Sequence, residues 1–192
     1  ADTVTMVDSA TGTIALAGGS NVVKVGDSVD ISGATLTASG GTLDINLSGS
    51  ATSSVTVAAA HLTTANTMSE ASTGAKTVTA VGALSGYTLH TTIDTLVLAD
   101  ATNSVTLGAA AQNVTGGTGA DTVTMINSAS GTINLAGGTN VVNVGDGVNT
   151  ASATISASGT YSVNLTGTAA SSTIKNTQLT GASDVTETSS GA

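Results

Sequence analysis

The residues whose types and spacing best fit a chemical task are Gly116-Gly117-Thr118-Gly119-Ala120-Asp121-Thr122-Val123-Thr124. They match the nonapeptide G-G-x-G-x-D-x-U-x at every fixed position. The glycines permit positive φ and a tight turn, so carbonyl oxygens can be aimed at one point. Asp121 adds a charged oxygen, and Val123 opens an apolar strand. Hard oxygens gathered in this way suit calcium, which takes six to eight oxygen ligands. On this reading Gly117, Gly119 and Asp121 are ligands, and a neighbouring turn completes the shell.

Degenerate relatives of the motif supply that neighbour. Gly137-Gly138-Thr139-Asn140 precedes the apolar run Val141–Val144, and Gly145-Asp146-Gly147 follows it. Near the start of the chain the corresponding residues are Gly18-Gly19-Ser20-Asn21 and Gly26-Asp27-Ser28. Asp121, Asn140 and Asp146 are expected to gather on one edge of the fold, and Asp2, Asn21 and Asp27 to repeat the arrangement. Turns favour Asn and Asp even without a metal, and Asp8, Asp30, Asp44, Asp94, Asp100 and Asp184 are read as solvated turn residues of that kind.

Those corners sit in a duplication. The segment opening Ala1-Asp2-Thr3-Val4-Thr5-Met6 recurs as Ala120-Asp121-Thr122-Val123-Thr124-Met125. Residues 12–29 match 131–148, residues 34–40 match 153–159, and LSGSATSS is followed in the second copy by LTGTAASS. The reading is a first copy over 1–59, a divergent middle block over 60–119 and a second copy over 120–192, forming one elongated domain. The segment 58–75 breaks the pattern and is expected to be a helical turn, a loop or a bridge.

Beneath the long repeat runs a shorter beat. Five-residue pieces such as DTVTM, NVVKV, LDINL and NSVTL recur about every ten residues, rich in Val, Ile, Leu and Thr. The spacing allows a sandwich or a solenoid. A sandwich favours a large central aromatic, and this chain has no Trp or Phe and two Tyr. Small repeating layers favour an all-β, mainly parallel β-solenoid with Val, Ile and Leu inward and Thr, Ser and Asn outward. The ends of its sheets would need capping or pairing with another copy.

The nonapeptide resembles that of RTX proteins, whose parallel β-roll binds calcium between successive turns. The texture SVTLGAAAQNVTGGTGADTVTM is similar to the repeat regions of calcium-dependent bacterial surface-layer proteins and large RTX-type adhesins. The resemblance implies a secreted structural segment at the bacterial cell surface, stabilised by calcium and assembling with other copies of itself into a lattice or filament. An adhesin stalk, or a module binding ice or another ligand, is the alternative. The chain starts within the nonapeptide, and Ser190-Gly191-Ala192 resembles the Thr118-Gly119-Ala120 before Asp121. The expectation is therefore a segment of a longer array, or a subunit whose tail meets the next copy's head.

Composition narrows the classes. The 192 residues carry 12 acidic and three basic side chains, no Arg, and a net charge of −9. A nucleic-acid partner needs Lys or Arg clusters that are absent, and an anionic membrane surface is disfavoured for the same reason. No run of residues is long and apolar enough to span a bilayer, and no leader pattern opens the sequence. Catalysis is not expected. His61 and His90 stand apart without metal or triad spacing, and carboxylate pairs lack the aromatic platforms that glycoside chemistry favours.

Overall fold

The computed structural model describes residues 1–50, 52–71, 73–168 and 171–188. Ser190-Gly191-Ala192 lies outside them. The chain divides into two compact units, Ala1–Gly82 with Thr92–Thr95, and Ala83–Thr91 with Leu96–Ala192. Both are parallel β-solenoids.

In the first unit the strands are β1 (Thr3–Met6), β2 (Thr13–Leu16), β3 (Gly19–Val25), β4 (Thr35–Ala38), β5 (Gly41–Leu47) and β6 (Ser53–Ala58). Helix α1 (Ala59–Thr64), β7 (Thr67–Glu70) and β8 (Lys76–Val81) follow. One sheet has the order β1-β3-β5-β7, a second is β2-β4, and β6 pairs with β8, all in parallel. The irregular segment thus resolves into a six-residue helix and a strand. Its Ala-Ala start suits a helix.

The second unit contains β9 (Tyr87–Thr88), Leu96 and Val97 of β10 (Thr95–Val97), β11 (Asn103–Thr106), β12 (Asn113–Thr115) and β13 (Asp121–Thr124). It continues with β14 (Thr132–Leu135), β15 (Thr139–Val144), β16 (Thr154–Ala157), β17 (Thr160–Leu165), α2 (Asn176–Gly181) and β18 (Asp184–Glu187). Here the orders are β9-β11-β13-β15-β17-β18 and β10-β12-β14-β16.

Alternation dictates which side chains enter the core. In each strand every second residue faces inward. The parallel register stacks like on like: Val105, Val123, Val142 and Val163 form one column, each no more than 1% exposed. Val23, Ile45 and Met68 form the corresponding column in the first unit. Such layers explain how a chain nearly free of aromatics builds a core: each ring-free layer fills a thin slab, and the next coil repeats it.

Between paired strands, coil length runs from 18 residues, Asn103 to Asp121, to 23, Asp44 to Thr67. The shortest coil is twice the nonapeptide. The duplication preserves register: Thr3 lies beside Val22, and Thr122 beside Val141.

The expectation that Asn faces outward needs correction. Asn21, Asn103 and Asn140 are buried, as is Lys76. All four fall in phase with inward valines, two residues before Val23, Val105, Val142 and Val78 respectively. Alternation therefore carries them inside, and hydrogen bonds satisfy them there. The Lys76 ammonium donates to the Ser50 carbonyl at 3.3 Å and lies 3.8 Å from the Glu70 carboxylate.

Candidate cation site in the amide ladder

Each buried asparagine is a rung joining two coils. The Asn103 side-chain oxygen accepts from the Leu84 N–H at 3.0 Å, one coil earlier. Its Nδ2 donates to the carbonyls of Ala99 and Ala101, four and two residues before it. Asn21 does the same, accepting from the Asp2 N–H and donating to Ala17 and Gly19 at the same two spacings, and also to Thr42 of the next coil. Asn140 accepts from the Asp121 N–H at 2.9 Å and donates to Gly137 and Thr160. The arrangement converts the inner corner of each turn, where loop carbonyls point inward, into a satisfied polar seam.

Asp121 is the rung that departs from this pattern. It is 1% exposed, and its Oδ1 accepts from Asn103 Nδ2 at 2.8 Å. Its Oδ2 is buried without a hydrogen-bond partner. The carbonyls four and two residues before it belong to Gly117 and Gly119, the same residues that the nonapeptide assigns as ligands. An ionised carboxylate has no hydrogen to give them.

The turn around it is shaped by glycine. A Cβ on Gly116 would lie 2.6 Å from Asp121 Oδ2, and one on Gly117 would lie 2.8 Å from Asp100 Oδ1. Two carboxylates therefore flank the glycine turn, with Asp100 also accepting from the Thr118 N–H at 2.9 Å. Burial pushes the Asp121 carboxyl above its ordinary value; the Asn103 amide opposes this, helped by the nearby backbone of Asn103 and Gly117, and the Asp100 charge adds to the upward push. The donors are all hard oxygens, one of them a buried carboxylate oxygen without a partner. That set fits calcium.

Among the described residues no three Asp, Glu, His or Cys side chains converge, so a cation here would lean on backbone carbonyls as well as on Asp121 and Asp100. Sequence reasoning set Asp100 aside as a solvated turn residue. Its signal is visible only once the coil length is known, because 18 positions separate it from Thr118.

The other sequence-derived candidates fall in two places. Asp121 and Asn140 are adjacent rungs, and Asp2 and Asn21 repeat that pairing, although Asp2 itself is exposed. Asp27 and Asp146 are elsewhere. Asn21 and Asn140 sit near the starts of β3 and β15, whereas Asp27 and Asp146 lie just beyond the ends of those strands, so neither trio gathers on one edge. Asp27 Oδ2 accepts the Ser50 N–H at 2.8 Å, and Asp146 Oδ2 accepts the Thr168 N–H at 2.6 Å. These carboxylates staple one turn to the backbone of the next. The Ser50 bonds draw the Asp27 carboxyl below its ordinary value.

His61 is buried on α1, its Nε2 2.9 Å from the Ala34 carbonyl oxygen. No helix among the described residues is long and apolar enough to cross a membrane. No family model matches the chain, and no curated protein or solved structure matches it.

Proposed function

We propose that this chain is a structural segment of a secreted bacterial surface protein, a β-solenoid scaffold whose coils are tied together by calcium at the Asp121 corner. The observation that carries the reading is the single carboxylate set into an amide ladder, its second oxygen buried and without a partner. An asparagine there would satisfy the Gly117 and Gly119 carbonyls. An aspartate has no hydrogen to offer them, whereas a cation held there would also offset the charge of Asp121 and Asp100.

Two carboxylates make a weakly charged site, in the class of extracellular calcium modules that bind at about 10⁻⁴–10⁻³ M. An ion bound only by the folded form contributes its binding free energy to folding. Asp27, Asp146 and Asp2 stand outside this site and serve the coil-to-coil hydrogen bonding. Among the described residues β1 and β18 each pair on one side, and such edges are where further coils or other copies could add in parallel. The role is mechanical: an acidic, ion-dependent solenoid segment in a surface layer or filament.

The test is thermal unfolding followed by far-UV circular dichroism, in chelator and across a calcium titration to about 10 mM. The proposal expects a saturable rise in the transition temperature with one ion bound per chain at the Asp121 corner. Identical transitions at zero and saturating calcium would remove the ion from the account.

A further inference from the structure

The two repeat copies solve one packing problem with different side chains. Just after the first copy, His61 of α1, 4% exposed, meets the first copy's Ala34 carbonyl through Nε2 at 2.9 Å. In the second copy Gln178 of α2, 2% exposed, meets the Ala153 carbonyl through Nε2 at 3.0 Å. Ala34 and Ala153 are equivalent positions in the duplication, each preceding a matching strand, β4 or β16. Both helices therefore place a side-chain donor on the equivalent alanine carbonyl, and Gln178 Nε2 also donates to the Thr150 carbonyl at 2.9 Å.

The chemistry of the two donors differs. A carbonyl only accepts, so His61 Nε2 carries the hydrogen and Nδ1 is the bare nitrogen. That Nδ1 is buried and has no hydrogen-bond partner. A proton added there would make a buried N–H without an acceptor and a buried positive charge. Helix α1 and strands β4 and β6 carry no charged residue to balance it. Nearby in the same unit, Asp30 gives its carboxylate to the Ser32 N–H, Asp44 to the Thr67 and Ser69 hydroxyls, and Glu70 faces Lys76. Gln178 has no titratable atom, and its Oε1 accepts from Thr150 and the Lys175 N–H.

We propose that His61 is an acid-released latch holding α1 against the coil that carries β4, and that Gln178 is its pH-insensitive counterpart on α2. Burial, only partly opposed by the Ala34 carbonyl, holds the His61 imidazole below its ordinary value. The latch therefore has full strength above the ordinary histidine value of about 6.5 and weakens as pH falls through it, because the open form takes up a proton that the closed form refuses. Among the described residues β4 pairs with β2 alone, and the latch is made to Ala34 immediately before β4, so release of α1 would loosen the chain beside that edge.

The experiment measures amide hydrogen exchange of the full chain between about pH 7.5 and 5, corrected for intrinsic rates. Opening of α1 in the native protein rises by about tenfold, with a ceiling near 30-fold set by a free histidine of about 6.5. His61→Gln, which installs the second copy's own solution, flattens the response to under about twofold, His90→Gln leaves it intact, and α2 stays flat throughout. An α1 response that is flat in the native protein, or that survives in H61Q, overturns the proposal. A nitrogen-15 titration of the native imidazole decides independently of any variant. It should show the Nε2–H form and a depressed value, and ordinary titration with α1 still protected would overturn the latch.

Discussion

Replacing Asp121 with asparagine separates the two demands on that rung. In calcium-free protein the carboxylate is buried with Oδ2 unpartnered, and burial already opposes its ionisation. An asparagine would direct Nδ2 at the Gly117 and Gly119 carbonyls as Asn103 does at Ala99 and Ala101, at 3.1 and 2.9 Å. Each such bond is worth about 1 kcal/mol net, and relieving the unsatisfied buried oxygen adds about 1–3 kcal/mol. The expected gain in chelator is about 3 kcal/mol, or about 6–12 °C in transition temperature for a chain of this size. Calcium at about 100 times its dissociation constant adds about 2.7 kcal/mol to the native protein and nothing to the variant. The assay is thermal unfolding of both proteins in chelator and in calcium. The variant should be well ahead in chelator and nearly level at saturation. A variant destabilised in chelator would refute the ladder geometry, and one with an undiminished calcium response would refute the ion's placement.

Other outcomes follow from the same geometry. Asp27→Ala should leave the calcium response unchanged, because its carboxylate is spent on the Ser50 N–H; calorimetric titration checks this. Ser28 holds φ at 60° where the second copy has Gly147 at 67°, so Ser28→Gly should gain about 0.5–1 kcal/mol in denaturant unfolding. Val142 is 0% exposed in the middle of its column, and Val142→Ala should cost about 2 kcal/mol in the same measurement, from lost burial and the cavity left behind.

Much of the fold is legible in the chain because parallel stacking repeats a local rule. The alternation of NVVKV and DTVTM names the inward valines, and their recurrence implies coils. The amide ladder is not legible in the same way, because polarity alone points outward. Yet Asn21, Asn103, Asp121 and Asn140 all stand two residues before an inward valine, and phase, not polarity, decides the side a residue faces. Within the site, Gly117, Gly119 and Asp121 were visible as a motif. Asp100 was not, since its partner Thr118 is local only across coils. The displacement of Asp27 and Asp146 was hidden for a related reason: a residue six positions along an extended strand is about 20 Å away, however close it looks in sequence. The shared role of His61 and Gln178 emerges only from the equivalent carbonyls, Ala34 and Ala153, that they meet.

The most direct test of the account is a crystal structure grown at about 10 mM calcium, with the ion located by its anomalous scattering. The account predicts an ion about 2.3–2.6 Å from Asp121 Oδ2, with the Gly117 and Gly119 carbonyls in its shell and Asp100 turned toward it. Density for the ion only at surface carboxylates, with Asp121 Oδ2 still bare inside the ladder, would contradict it.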